Sequence, residues 1–217
     1  MSADGPGEGD ATAAVRASAI RLLAIAQSGL HYGRDDFDQQ RYRQVRAAAL
    51  ALLELVSRGD IGELQRLVAV DTGYATPKVD VRGAVFDEDE RVLLVRDRSD
   101  GLWTLPGGWC DVLESPREAV AREVREESGV TVDVLELAAV LDRERQGHEP
   151  PLPFHVYKLF FLCRPVHLGA PEELETLALG WFALDALPPL SIDRVTKPQI
   201  ALMYEHHLHS GRPATFD

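Results

Sequence analysis

The stretch Gly107–Val130, "GGWCDVLESPREAVAREVREESGV", decides how the whole chain is read. It holds six acidic residues between Asp111 and Glu127, with Arg117, Arg122 and Arg125 among them. Ser115, Pro116 and Glu118 mark a helix start. Ser115 is the N-cap, Pro116 sits where no amide donor is needed, and Glu118 completes a capping box. Gly129 suits the position just past the helix end, so the helix spans roughly 116–128. At about 100° per residue, Glu127 lies about 40° from Glu123 and Glu126 about 60° to the other side. Three carboxylates thus crowd one arc, next to Val120 and Val124, which face the core.

Like charges four residues apart destabilise a helix in water by a few tenths of a kcal/mol, and by more when partly buried. A solvated acidic face softened by Arg122 and Arg125 is the plain structural reading. Two features weigh against it. The carboxylates abut the apolar seam, and a Gly-Gly loop precedes the helix, where backbone carbonyls can approach a ligand closely. Clustered hard oxygen donors suit Mg²⁺ or Mn²⁺, and a divalent cation removes the repulsion.

From Gly108 the spacing is Gly, five residues, Glu114, seven residues, Arg122-Glu123-Val124, one residue, Glu126-Glu127, one residue, Gly129-Val130. This resembles the Nudix box, residues 108–130, at every defining position. A chance match is on the order of one in a billion per window at average residue usage. The resemblance implies an α/β (α+β) fold, an α/β/α sandwich with a mixed sheet. It implies that Glu123, Glu126 and Glu127 bind the metal, Mg²⁺ or Mn²⁺, with the Gly108 carbonyl as a further oxygen. Arg122 would hold a box carboxylate through an ion pair, and Glu114 would brace the loop. The activity implied is hydrolysis of the pyrophosphate bond in a nucleoside diphosphate linked to X, giving a nucleoside monophosphate and X-phosphate. The metal would offset charge developing on the phosphoryl oxygens. Some members add a catalytic carboxylate from outside the box. Glu175, six residues before Trp181-Phe182, matches that spacing, with Glu172 and Glu173 as competitors.

The rest of the chain is organised around this motif. Residues 1–11 are Gly- and Asp-rich and are expected to be disordered. Residues 12–75 repeat apolar positions at three and four, as a small helical domain. Asp36 or Asp38 caps its second helix, Gly59 ends it, and "DIGELQRLVAV" forms a third. Near Gly73 and Pro77 the period shifts, and residues 76–217 read as strands flanking helices. "VDVRGAVFD" and "RVLLVRDR" suggest a β-hairpin. "AIAQSGLHYGRDDFDQQRYRQVR", "LPGGWCDVLESP" and "HVYKLFFLC" resemble a Nudix subgroup with a helical N-terminal domain, described as CDP-choline or ADP-ribose pyrophosphatases. That resemblance implies a homodimer. Specificity marks that other groups carry downstream of the box have no counterpart in register within "RQGHEP".

Composition bounds the partners. A 217-residue chain with a net charge of −12 disfavours broad binding to nucleic acid or anionic membrane. No run of about 18 apolar residues predicts a membrane span. Cys110 and Cys163 read as free thiols, and the acidic N-terminus does not resemble a signal peptide, so the expected location is cytoplasmic. Tyr32, Phe37, Tyr42, Phe154 and Tyr157 read as core aromatics or as base-stacking residues. "HHLH" at 206–209 reads as the surface end of a terminal helix, not a zinc site.

Two other functions compete. An RNA-end hydrolase or exonuclease needs a basic track, but residues 1–75 carry eight Arg against ten Asp plus Glu. A non-catalytic Nudix-fold ligand sensor is disfavoured by the complete carboxylate set.

Overall fold

The acidic helix organises its surroundings through its two ends. In the structure, a computed structural model that describes residues 8–56, 73–171, 176–209 and 211–217, it spans Pro116–Ser128 and is α3 in chain order. Ser115 Oγ accepts the Glu118 amide, and the Glu118 carboxylate accepts the Ser115 amide at 2.9 Å. Gly129 closes the helix in the left-handed conformation, φ 74°. A Cβ there would also lie 2.4 Å from the Ala170 carbonyl carbon, so the position needs glycine twice over.

Residues 78–152 with 156–217 form one compact unit, and residues up to 77 with 153–155 form another. The first of these holds seven strands: β1 Lys78–Val85, β2 Val92–Asp97, β3 Trp103–Thr104, β4 Val130–Asp142, β5 Val156–Leu168, β6 Thr176–Phe182 and β7 Thr215–Phe216. Its other helix is α4, Lys197–Leu208. A four-stranded mixed sheet runs in the order β1-β5-β4-β7, and a three-stranded antiparallel sheet in the order β3-β2-β6. β1 and β5 are parallel, with Asp80 opposite Lys158.

The expected hairpin is corrected here. β1 and β2 are joined by the Phe86–Val92 bridge and the turn bond from Asp87 N to Arg91 O, but they lie in different sheets. The reason is burial on both faces: Asp80 to Val85 are all buried, where a half-exposed hairpin strand would alternate.

The two faces of the mixed sheet carry separate cores. Val81, Val85, Phe161 and Cys163 pack with Val120 and Val124 of α3. Ala84, Phe160 and Leu162 pack with Leu94 of β2 and with Ile200 and Met203 of α4. Successive β5 residues therefore alternate between layers, as the pleat requires. Gly83 lets α3 settle on β1, since a Cβ there would lie 2.5 Å from a Val124 methyl. The result is the expected α/β/α arrangement. Cys110 and Cys163 are free thiols, as read from the sequence.

The terminal histidines differ from expectation. His206 is fully buried, because it continues the inner face of α4 after Gln199, Ile200 and Met203. Its ring lies 3.3 Å from the Thr215 hydroxyl, and His207 stacks on Phe86. Among the described residues no group of three or more His, Cys, Asp or Glu is arranged to hold a metal, and this includes the expected set of Glu123, Glu126 and Glu127.

In the other unit, α1 Glu8–Tyr32 and α2 Asp36–Val56 pack through Ala19, Leu23, Ala49 and Leu53. α1 thus begins inside the stretch expected to be disordered. Asp35, not Asp36 or Asp38, caps α2, accepting the Phe37 and Asp38 amides. Tyr32 and Phe37 are exposed, not core residues. Tyr42 lies against α1, where a Cβ on Gly29 would come within 2.3 Å of its ring. The expected third helix and the stop at Gly59 lie outside the described residues. Among the described residues no helix is long and apolar enough to cross a membrane.

Candidate active site

Several elements converge on one polar cavity of about 380 Å³. α3 contributes Arg122, Glu123 and Glu127, the loop before it Gly107, Gly108, Trp109 and Asp111, and β1 Asp80 and Arg82. β5 adds Lys158, and β2 adds Asp97. The Gly-Gly loop is held against β1 by backbone bonds, Val81 N to the Gly108 carbonyl at 2.8 Å and Gly83 N to the Pro106 carbonyl at 2.9 Å. The Gly108 carbonyl therefore has one of its two lone pairs engaged already.

The sequence-expected residues take distinct places. Arg122 grips Glu114 through two bonds of 3.0 Å, and its Nη1 donates to Glu123 at 3.0 Å and Glu126 at 3.1 Å. Glu123 and Glu127 line the cavity. Glu126 is drawn aside by Arg122 and by Arg125, which donates to it at 3.2 Å. Glu127 accepts the Gly107 amide at 2.8 Å, and its other oxygen accepts no hydrogen bond among the described residues. Glu175, with its competitors Glu172 and Glu173, lies outside the described residues.

Electrostatics mark the same pair. Burial pushes the Glu127 carboxyl up to about 8, against the pull of Arg82 and the Gly107 amide. Burial also raises Glu123, partly offset by Arg122. Two desolvated carboxylates side by side call for a counter-charge, and Gly108 leaves room for one: a Cβ there would sit 3.0 Å from a Glu123 oxygen. The donors are hard oxygens, so the residues present fit a divalent cation.

The remaining walls were not found from the sequence. Asp80, Arg82 and Lys158 form a buried cluster in which Arg82 donates to Asp80 at 3.0 and 2.6 Å and Lys158 at 2.6 Å. Burial alone would raise Asp80, but the two cations outweigh it and hold the carboxyl at about 2. Arg143, also buried, donates to Pro150 O at 2.7 Å and pairs with Asp193. Arg194 pairs with Asp97 at 3.2 Å and Asp100 at 3.1 Å. The available signal was charge inside apolar strand runs, Asp80 and Arg82 in "VDVRGAVF" and Lys158 in "FHVYKLFFLC". A buried charge in such a run has a partner or a task.

Comparison with known proteins identifies the family. Residues 76–203 match the NUDIX domain, and residues 14–68 match the model described as "UDP-X-like, N-terminal oligomerisation domain". A Bacillus subtilis (strain 168) protein, YjhB, named provisionally as an ADP-ribose pyrophosphatase, is 40% identical over 92% of this chain and 95% of its own length. A solved structure titled UDP-X diphosphatase is 32% identical, covering 95% of this chain and 99% of that one, with a TM-score of 0.60. A Streptococcus suis ADP-ribose pyrophosphatase is 42% identical, over 65% of this chain and all of its own, with a TM-score of 0.59. With the domain match covering residues 76–203 and a relative aligned along most of its length, the chain belongs to the Nudix hydrolase family.

Proposed function

We propose that this enzyme hydrolyses the pyrophosphate bond of nucleoside diphosphates linked to X, releasing a nucleoside monophosphate and X-phosphate. The observation that carries the reading is the cavity's division of charge: Glu123 and Glu127 on α3, with Arg82, Lys158, Arg143 and Arg194 on other walls. Such a site can hold a divalent cation and a diphosphate together. ADP-ribose and UDP-linked compounds are the first candidates, because relatives spanning most of this chain carry those names. CDP-choline belongs in the same panel.

Glu123 and Glu127 are the proposed metal-holding side chains, Mg²⁺ or Mn²⁺ being the cation. Glu126 and the Gly108 carbonyl are proposed as further donors. When bound, the cation supplies charge neutralisation at the phosphoryl oxygens. Arg122 keeps Glu123 oriented and relieves repulsion within the helix. Glu123 and Glu127 are partly buried, which strengthens their interactions with charge. Glu175 is the proposed general base. The support is that its sequence neighbour Thr176 pairs with Asp97, a cavity residue. Asp97 itself is committed to Arg194 and to the Ser99 amide and hydroxyl.

Residues 12–75 are proposed as the dimer-forming domain and 76–217 as the catalytic domain, supported by the oligomerisation description of the matched model. The testing experiment is a panel of ADP-ribose, UDP-sugars, CDP-choline and nucleoside triphosphates with Mg²⁺ or Mn²⁺, with products resolved by mass. Cleavage to a monophosphate and X-phosphate is expected. Absence of turnover on every diphosphate would discard the reading. Glu175→Gln is expected to cut turnover by orders of magnitude, and near-normal turnover would remove Glu175 from the mechanism.

A further inference from the structure

Lys158 is 2% exposed, in β5, directly opposite Asp80 of β1. Its Nζ donates to Asp80 Oδ1 at 2.6 Å. That carboxylate is already answered by Arg82, whose Nε and Nη2 take its two oxygens. Arg82 spends its remaining contacts on Leu105 O at 3.2 Å and the Thr104 hydroxyl at 3.4 Å. Within the cluster one buried anion thus faces two buried cations, with Glu127 and Glu123 acting on Arg82 from outside it.

Lys158 is the surplus member. A lysine ammonium has three donors, and among the described residues Asp80 is the acceptor for one of them. Neutralising Asp80 does not require Lys158, because the Arg82 fork does so alone. A desolvated ammonium with donors to spare is costly unless an anion completes it. Burial pulls its pKa down to about 8, with Arg82 and Arg143 adding to that pull and Asp80 opposing it. Lys158 and Arg143 both line the cavity that holds Glu123 and Glu127.

We infer that Lys158, oriented by Asp80, is a substrate-binding residue whose spare N–H groups donate to a phosphoryl oxygen of the diphosphate. The ligand class rests on the function proposed above, while the spare donors do not. Arg82 is the positioning residue of the cluster, since it fixes Asp80 from the other side.

The test uses the full-length protein and inorganic pyrophosphate, titrated calorimetrically with divalent metal chelated. Lys158→Met is expected to weaken pyrophosphate binding about 10- to 100-fold, the worth of a hydrogen bond to a charged group. It should raise KM for the best panel substrate by a similar factor with a smaller change in kcat. Lys158→Arg, which keeps the cation, should bind within about threefold of wild type, as roughly 0.6 kcal/mol would allow. Lys158→Gln replaces Lys158→Met if that variant does not fold. Wild-type protein that does not bind pyrophosphate overturns the inference. So does Lys158→Met with unchanged affinity and KM, or Lys158→Arg as weak as Lys158→Met. If no nucleotide is hydrolysed yet pyrophosphate binding depends on Lys158, the anion site stands and the proposed reaction falls. If hydrolysis proceeds with binding indifferent to Lys158, the reverse holds.

Discussion

Arg122 and Glu114 face each other through two parallel hydrogen bonds, Nε to Oε1 and Nη2 to Oε2, each 3.0 Å. The same guanidinium reaches Glu123 and Glu126 through Nη1, so one cation ties the box loop to the helix and screens its carboxylates. The hydrogen bonds to Glu114, with those to Glu126 and Glu123, hold the Arg122 pKa above its ordinary value despite partial burial. Arg122→Lys keeps the charge and loses the planar fork. It is expected to cost about 1–2 kcal/mol of stability and to weaken metal affinity about tenfold or more. Urea denaturation and a metal titration check both. A lysine variant matching wild type in each would show the fork to be idle.

The glutamates separate by their surroundings. Glu123→Gln and Glu127→Gln are expected to lower turnover by roughly 100-fold or more, since both face the cavity and several kcal/mol of charge stabilisation is at stake. Glu126→Gln should lower it less, because Glu126 is tied to Arg122 and Arg125. Stability should sort them the other way. Glu127→Gln removes a desolvated carboxylate while leaving an oxygen to accept the Gly107 amide, so the metal-free protein should gain on the order of 1 kcal/mol. Kinetics and urea unfolding of the three variants decide this. Chelation should abolish turnover with the secondary structure unchanged, as the two apolar cores are built from side chains other than the cavity-lining carboxylates.

How much of this was legible follows from sequence distance. α3 was readable to the residue because its signals are local: Ser115, Pro116 and Glu118 at one end and Gly129 at the other. The shared arc of Glu123, Glu126 and Glu127 was read the same way, through helical spacing, but not that Arg122 and Arg125 draw Glu126 aside. The cationic wall was not, because Asp80 and Lys158 meet only when β1 and β5 pair in parallel, and nothing local specifies that pairing. The hairpin reading failed for a related reason. The turn around Asp87–Arg91 looks like a hairpin turn and is hydrogen-bonded like one, but β1 is buried on both faces and takes β5 as its partner. His206 was misplaced because a charged-looking terminus hid the inner-face spacing that buries it.

Gly107 is the hinge between that wall and the box. Its φ is 143°, and a Cβ there would lie 2.0 Å from the Val81 carbonyl oxygen and 2.9 Å from the Arg82 Cα. Both contacts are backbone, so no side chain can move aside. Gly107→Ala is expected to cost roughly 3 kcal/mol or more and to break the Gly107–Glu127 bond, with turnover falling alongside. Unfolding by urea and a pyrophosphate titration measure the two effects. An alanine variant of wild-type stability would mean that the loop does not lie on β1 as closely as described.

The pH dependence of stability should report His148. Its ring is buried, Nε2 lies 2.9 Å from the Gln199 amide nitrogen, and Nδ1 lies 2.7 Å from the Ile192 carbonyl oxygen. The amide nitrogen is a donor, so Nε2 accepts and the proton sits on Nδ1, the neutral tautomer. Burial pulls the pKa down to about 4, helped by Lys158 and Arg143 and opposed by the Ile192 bond. An unfolded chain takes up this proton near pH 6.5, whereas the folded chain resists until about 4. His148 therefore costs nothing above about pH 6.5, and stability falls as the pH drops through the window between those values. The integrated loss is about 3 kcal/mol, at 1.36 kcal/mol per pH unit. His148→Asn keeps a donor for Ile192 and cannot titrate, so it should flatten the decline. Denaturant unfolding of both proteins at pH 7, 5.5 and 4.5 is the measurement, and parallel curves would remove His148 as the source.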